Sequence, residues 1–154
     1  MTSALTPADL TAWRTFLRAH ATVVRRLEAE LVAEHDLPLA SYDVLVQLSE
    51  ATDRRLRMTE LADRVLLSRS GLTRLADRLE RDGLIERKAC PSDARGTLAV
   101  LTPAGLARLR AAWPTHRRGV AEHVTGRLSA AELVQLSELL GKLLDEPDPP
   151  GDLP

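Results

Sequence analysis

The apolar residues of this chain change from helical to strand spacing at Gly83, and that change restricts the folds the chain can adopt. Before Gly83 they recur every three to four positions, which predicts a short helix from Thr59 to about Val65 and another that Ser68 caps, through Asp82. After it, residues 84–89 and 97–101 read as two strands of a β-hairpin. Gly83 itself suits the left-handed residue that ends a helix. The sequence therefore predicts a helix pair followed directly by a hairpin.

Helical patterns flank this segment on its N-terminal side. Thr6, Pro7 and Asp9 provide an N-cap, a first-turn proline and a first-turn acid, and apolar residues then recur through Leu31. A second, shorter pattern covers residues 42–50. We expect one long helix and one short helix before the helix pair.

Two further helices are predicted on the C-terminal side. Thr102 and Pro103 open a helix that Pro114 is expected to kink or break, because proline lacks the backbone donor. Ser129 and Glu132 fit a capping box for a last helix that ends near Asp145. Within residues 133–144, seven of twelve are Leu or Val, more than one face of a helix can hide. A second copy of the chain would cover that surface, since most soluble oligomers are two-fold homodimers.

These patterns predict a mainly α fold with a small β-hairpin wing, that is, a winged helix-turn-helix with N- and C-terminal dimerisation helices. A single domain over residues 1–145 is expected, with dimerisation helices at about 7–35 and 115–145 and the winged helix-turn-helix at about 41–101. The tail, residues 146–154, contains four prolines and is predicted to be disordered.

Charge is distributed unevenly along the chain. The net charge is −1, yet residues 54–95 contain eleven Arg and Lys against seven Asp and Glu. A basic middle between acidic flanks favours a surface that meets phosphates. The alternative is a solvated, Arg-rich face without a partner. Charge alone does not separate the two.

The helix after Ser68 has a polar face suited to a DNA major groove. At helical spacing, four apolar residues fall on one side, whereas Ser70, Thr73, Arg74, Asp77 and Arg81 fall on the other. Arginine can donate two hydrogen bonds to guanine, and Ser or Thr can reach bases or phosphates. Asp77 is expected to order Arg74 or Arg81, or to accept from cytosine. Its place as the second helix of a pair, followed by a hairpin, favours this reading over a plain solvated helix.

The predicted hairpin loop, residues 90–96, holds an Asp and an Arg two positions apart. An exposed pair of this kind stabilises a fold by only about 0 to 1 kcal/mol. An arginine that enters a narrow minor groove gains from its negative potential, and Asp93 can hold the Arg95 guanidinium in place. Arg87 and Lys88 at the hairpin base can contact phosphates, or can simply be solvated.

The segment DARGTLAVLTPAG, Asp93 to Gly105, carries the spelling D-x-R-G and then V-x-L-T-x-x-G with one residue of slack. In this segment and in the helices before it, the chain resembles the MarR family of winged helix-turn-helix transcription regulators. The resemblance implies a recognition helix, a minor-groove Arg braced by the wing Asp, and a dimer built from the terminal helices. Ala94 departs from the family, where a second basic residue is frequent. The predicted DNA-binding residues are Ser68, Arg69, Ser70, Thr73, Arg74, Arg78, Arg87, Lys88, Asp93 and Arg95.

The resemblance also implies control by a small molecule, often aromatic or phenolic, bound between the dimer helices and the DNA-binding lobe. The chain has only four Phe, Trp and Tyr residues, and none lies in the basic middle, which disfavours single-stranded RNA as a partner. The predicted effector-binding residues are Trp13, His20, Tyr42, Trp113 and His116. The alternative for each of them is core or interface packing.

Several other classes of protein find little support in the sequence. The single cysteine, Cys90, excludes an internal disulfide, and no apolar run is long enough for a membrane span or a signal segment, so a cytoplasmic protein is expected. No cofactor motif and no nucleophile–base pairing of an enzyme stands out. Cys90 near Arg87 and Lys88 leaves redox sensing open, and His116 or His123 leaves metal sensing open.

The sequence thus predicts a sequence-specific, double-stranded DNA-binding regulator and not an enzyme. We expect a ligand-responsive repressor that binds a pseudo-palindromic operator as a homodimer. The alternatives are a metal- or redox-responsive regulator of the same fold, a winged-helix module that contacts only proteins, and a small-molecule-binding protein or enzyme without DNA binding.

Overall fold

The computed structural model describes residues 4–65 and 67–144 of the chain. It contains the mainly helical fold and the wing that the sequence predicts. Within the described residues no helix is long and apolar enough to cross a membrane. The helices are α1 (Pro7–His35), α2 (Leu39–Glu50), α3 (Met58–Arg64), α4 (Arg69–Arg81), α5 (Pro103–His123) and α6 (Ala130–Gly141), and the strands are β1 (Arg55–Arg57), β2 (Ile85–Cys90) and β3 (Asp93–Leu101).

The wing is a three-stranded antiparallel sheet rather than an isolated hairpin. Its strand order is β1-β3-β2, and β1 pairs with β3 so that Arg57 lies opposite Leu98. The sequence did not predict β1, because three residues are too few to show an alternating pattern. The short strand ties the start of α3 to the hairpin, so the wing and the helix pair share one sheet.

The predicted seven-residue loop over residues 90–96 is wrong. Strand β2 continues to Cys90 and β3 begins at Asp93, so that only Pro91 and Ser92 form the turn. Ala89 pairs with Thr97, whereas Cys90 pairs with Asp93, and the three residues between Asp93 and Thr97 bulge out of the ladder. Asp93 and Arg95 therefore lie at a bulge of a paired strand.

The helix signals around α4 are confirmed at both ends. Ser68 Oγ accepts a hydrogen bond from the Gly71 backbone N–H at 3.1 Å. Gly83 has φ of +74°, and the Leu84 N–H returns to the Leu79 carbonyl at 2.9 Å, which closes the helix end. Helix α3 begins at Met58 and its N-cap is Arg57, so the predicted cap at Thr59 is two residues late.

Two predictions on the C-terminal side are corrected. Helix α5 runs unbroken through Pro114. The proline removes one backbone hydrogen bond, but the buried side chains of Leu109, Ala112 and Thr115 hold the helix against the core and offset that loss. The capping box of Ser129 and Glu132 is present at the start of α6. That helix ends at Gly141, earlier than predicted; Asp145 and the tail of residues 146–154 lie outside the described residues.

The hydrophobic core lies between α2, α3, α4, the sheet and the first half of α5. Its fully buried side chains include Leu45, Leu61, Leu72 and Leu79, with Leu31 at the end of α1 closing one side. No residue of α6 is buried within the described chain. The lobe that carries the helix pair and wing is thus complete in one chain, while the terminal helices keep apolar surface exposed.

Candidate nucleic-acid interface and effector site

Helix α4 presents an arginine-rich face to solvent. Leu72, Leu75, Ala76 and Leu79 are buried beneath it, as the helical spacing predicts. The predicted contact residues on the opposite face are exposed, and no described acid forms a salt bridge with Arg69, Arg74 or Arg78. These exposed residues are Ser68, Arg69, Ser70, Thr73, Arg74 and Arg78.

Two of the hydroxyl groups on this helix already have partners in the protein. Ser68 Oγ caps the helix, and Thr73 Oγ1 donates to the Arg69 carbonyl at 2.8 Å. Both oxygens keep acceptor capacity. Arginines 69, 74 and 78 are therefore the groups with donors to spare on this face.

Arg87 does not behave as the free phosphate contact that the sequence suggested. Its guanidinium lies 2.6 Å from Asp77 Oδ1 and 2.7 Å from Glu80 Oε2, and its backbone N–H donates to Glu80 Oε1 at 3.1 Å. Asp77 thus pairs with Arg87 on the wing, and not with Arg74 or Arg81 as expected. Hydrogen bonds from Arg87 hold the pKa of the Glu80 carboxyl below its ordinary value.

The wing carboxylate braces the backbone of its neighbour rather than the guanidinium. Asp93 Oδ1 accepts from the Arg95 N–H at 3.0 Å, and Asp93 Oδ2 lies 3.5 Å from Arg57 Nη1. Arg57 also donates to Ser92 Oγ at 3.1 Å. Arg95 is exposed, and no described residue lies within hydrogen-bonding distance of its guanidinium. The bulge fixes the backbone of Arg95, while its guanidinium is free to contact a partner outside the chain.

Lys88 is exposed on β2, next to Arg87, and its Nζ lies 3.1 Å from Glu86 Oε2. An exposed pair of this type contributes about 0 to 1 kcal/mol to folding, so the ammonium group is easily released to a phosphate. Lys88 is therefore better placed than Arg87 to contact a DNA phosphate.

A cleft of about 390 Å³ opens between the wing and the helix pair. It is bordered by Thr73 of α4, by Thr59 of α3, and by Arg57, Arg87 and Arg95 on the sheet side. Guanidinium and hydroxyl groups around a concave surface suit a phosphate oxygen. The sequence did not predict a role for Arg57 or Glu80. The only signal for Arg57 was its position directly before a helix, and the only signal for Glu80 was that it lies one turn after Asp77.

The five predicted effector residues do not line one cavity. Trp13 and His20 border an apolar groove of about 890 Å³ between α1 and α6. Tyr42 is buried in the core with its ring 4.5 Å from that of His116, and Trp113 stacks on His116 at 6.3 Å. Trp113 and His116 border a separate cavity of about 280 Å³.

The Tyr42–His116 pair holds two polar atoms without a partner among the described residues. They are Tyr42 Oη and His116 Nδ1, and both are buried. Burial raises the pKa of the Tyr42 hydroxyl and lowers that of His116. The neutral side chains of Tyr42 on α2 and His116 on α5 therefore lie against each other where the two helices meet, and each has one hydrogen-bonding atom without a partner.

Among the described residues, metal and redox chemistry have one candidate position each. Ligand atoms of Glu30, Glu122 and His123 lie within 4.8 Å of one another, which makes His123, and not His116, the histidine near carboxylates. His123 Nε2 pairs with Glu30 Oε1 at 2.6 Å, and a neighbouring cleft is bordered by three arginines and no acid, which disfavours a divalent cation. Those arginines are Arg18, Arg26 and Arg127.

Cys90 is buried in the wing. Its pKa is lowered chiefly by hydrogen bonds with Ser92 and also by the charge of Arg57, not by Arg87 and Lys88 as the sequence suggested. With only 7% of the residue exposed, the sulfur offers little surface to an oxidant.

Comparison with known proteins agrees with this geometry. A family profile described as MarR family matches residues 35–96. The transcriptional regulator MhqR of Bacillus subtilis is 30% identical over 73% of this chain and 75% of its own length. The transcriptional repressor YetL of the same organism is 33% identical over 73% of this chain and 67% of its own.

A solved structure matches nearly the whole chain. Sco3205, a MarR family transcriptional regulator from Streptomyces coelicolor determined in complex with DNA, is 36% identical with a TM-score of 0.87, and the match covers 98% of both chains. The similarity includes the helix pair, the wing and the terminal helices. The chain belongs to the MarR family of DNA-binding transcriptional regulators.

Proposed function

We propose that this regulator is a ligand-responsive repressor that binds a pseudo-palindromic operator as a homodimer. The observation that carries the proposal is the pairing of two surfaces on one chain. An exposed arginine face lies on α4, and an uncovered apolar groove lies between α1 and α6. The first suits DNA, and the second suits another copy of the same chain.

Helix α4 enters a major groove in this proposal, with Arg69, Arg74 and Arg78 as the groups that reach bases or phosphates. Ser68, Ser70 and Thr73 supply shorter contacts near the helix start. Arg95 enters the adjacent minor groove from the bulge, and Asp93 fixes its backbone. Lys88 adds a phosphate contact, whereas Arg87 does so only if it leaves its carboxylate partners.

The terminal helices form the dimer in this proposal. Large apolar residues are exposed on both of them and just after α6, among them Trp13 at 56%, Leu139 at 59% and Leu143 at 70%, and these three border the same groove. A self-complementary patch of this kind suits a two-fold interface. Dimerisation regions at about 7–35 and 115–145 then flank a winged helix-turn-helix at about 41–101. The YetL relative is a repressor, which supports the same sign of regulation here.

An effector would bind at the α2–α5 junction rather than along all five predicted residues. His116 borders the cavity beside Trp113, and a small phenol or aromatic acid that opens this junction would reach the buried, unpaired His116 Nδ1 and Tyr42 Oη behind it. Trp13 and His20 belong to the dimer groove instead. Because Trp113 stacks on His116, binding there changes the surroundings of an indole.

Three measurements test the proposal. Light scattering after size exclusion gives the mass of the protein, and a gel shift with DNA from upstream of its own gene gives binding. A dimer that protects two half-sites about one helical turn apart is expected. A monomeric mass at the concentration that binds DNA contradicts the dimer.

The effector site is tested by titration with 4-hydroxybenzoate, which should quench tryptophan fluorescence in the unmodified protein but not in the His116→Leu variant.

A further inference from the structure

Among the described residues, the salt bridges and side-chain hydrogen bonds between the wing and the recognition helix all involve one arginine, Arg87. Arg87 lies in the middle of β2, and Asp77 and Glu80 lie one turn apart on α4. The Arg87 Nε donates to Glu80 Oε2 at 2.8 Å, and Nη2 contacts both carboxylates. With the backbone hydrogen bond to Glu80 Oε1, four short contacts join one strand residue to the helix.

These contacts differ from an ordinary surface ion pair. The Arg87 side chain is 27% exposed, and its planar group is held from two sides, so it has few alternative positions. The exposed pair of Lys88 and Glu86 on the same strand shows the contrast, since both of those side chains are more than half exposed and share one contact. Charged hydrogen bonds that are partly removed from water are stronger than exposed ones.

By charge alone, the carboxylates of Asp77 and Glu80 should weaken DNA binding. Asp77 and Glu80 add negative charge to a helix that approaches phosphates, and like charges raise the free energy of the complex. Arg87 offsets this charge and at the same time spends its own donors inside the protein. The arrangement gives no net gain in attraction to DNA, so its effect must lie in geometry.

We propose that Arg87, held by Asp77 and Glu80, is a positioning residue that fixes the angle and separation between the recognition helix and the wing. This inference rests on the proposed DNA contacts of α4 and Arg95. Arg87 borders the same cleft as Thr73 of the helix and Arg95 of the wing. Holding that cleft at one width lets the major-groove and minor-groove contacts form together, without an ordering cost at the moment of binding.

The test uses an operator duplex selected from random-sequence DNA by the unmodified protein. Arg87→Ala should weaken binding to this duplex about tenfold, because the helix and wing contacts no longer form together, while the slope of affinity against salt stays unchanged. Asp77→Asn and Glu80→Gln remove negative charge and should nevertheless weaken binding. Glu86→Gln, an acid neutralised on the same strand without a contact to α4, is the matched control and should bind as well as the unmodified protein, or slightly better.

A second measurement examines the protein without DNA. Spin labels on Ser70→Cys and Ala94→Cys, in a chain that carries Cys90→Ser, report the distance between the start of α4 and the wing. Arg87→Ala should broaden the distance distribution, whereas Arg87→Lys should broaden it less. An unchanged distribution would overturn the inference, and so would tighter binding by Asp77→Asn or Glu80→Gln. A salt slope reduced by about 1 in Arg87→Ala, with unchanged width, would identify Arg87 as a phosphate contact instead. If no duplex is enriched, the DNA contacts fail while the distance measurement still decides the role of Arg87.

Discussion

The DNA-binding lobe and the terminal helices of this protein follow opposite patterns of burial. In the lobe, apolar side chains such as Leu45 and Leu72 are almost fully buried, and charged groups pair across elements, as Arg87 does with Glu80. In α6, none of the described residues is buried, and Leu139 on this helix and Leu143 just after it face solvent. The lobe buries its own apolar side chains, whereas the terminal helices leave large apolar side chains exposed.

A small polar network joins these two regions. Thr115 on α5 is buried and donates to Glu34 on α1 at 2.9 Å, while His35 Nε2 pairs with the same hydroxyl at 2.8 Å. Arg108 adds a bond to the His35 carbonyl at 2.6 Å. Because the hydroxyl donates to Glu34, it must accept from His35, which places the proton on Nε2. A shift between α1 and α5 would have to break these contacts, so they hold the lobe against α1.

The largest expected effect is on the free energy of unfolding, which should respond differently to a truncation in the lobe and to one in the terminal helices. Leu45→Ala removes a fully buried side chain and should lower the free energy of unfolding by about 2 to 5 kcal/mol. The same truncation at Leu139 leaves an exposed site and should cost far less in a monomer. Urea unfolding at a protein concentration below dimer dissociation measures both. Equal losses for the two variants would contradict the contrast.

Charge placed on the dimer groove should affect DNA binding without unfolding the lobe. Leu139→Glu buries a carboxylate in the proposed interface, so the mass should fall to that of a monomer and operator affinity should fall about a hundredfold or more, as expected when two linked half-sites become independent. Glu138→Gln, on the same helix, is the control. A Leu139→Glu protein that stays dimeric would place the interface elsewhere.

A smaller effect is expected from the exposed wing. Arg95→Ala should weaken operator binding several-fold and reduce the slope of log affinity against log salt by about 1, because one guanidinium no longer displaces counterions. Arg25→Ala removes an exposed arginine from α1 and should leave both quantities unchanged. An unaltered slope in Arg95→Ala would remove this residue from the DNA interface.

The smallest effect concerns pH and the network between the regions. The Thr115 hydroxyl and the Arg118 guanidinium lower the pKa of Glu34 below its ordinary value of 4.5. A lowered pKa in the folded state means that the ionised carboxylate stabilises the fold above pH 4.5, and that this contribution is lost as pH falls below it. Glu34→Gln should therefore flatten the decrease in unfolding free energy between about pH 5 and pH 3. An identical decrease in both proteins would exclude Glu34 as its source.

Signals that depend on neighbours in the chain were predicted well. The cap at Ser68, the left-handed Gly83 and the capping box of Ser129 with Glu132 each involve residues within a few positions of one another. Predictions that needed distant partners did less well. The sequence placed Asp93 against the Arg95 guanidinium, but Arg57, thirty-six positions away, takes one of its oxygens. Tyr42 and His116 meet, while Trp13 lies in another groove.

The sequence alone determined the order of elements, the arginine face of α4 and the apolar excess of the last helix, because these follow from local spacing and composition. Only the tertiary structure decided that Arg87 serves the wing and the helix together, that a third strand completes the sheet, and that the aromatic residues divide between two sites. The physical reason is that pairing and burial depend on which distant groups come within hydrogen-bonding distance. That is set by the packing of the whole lobe and not by any one segment.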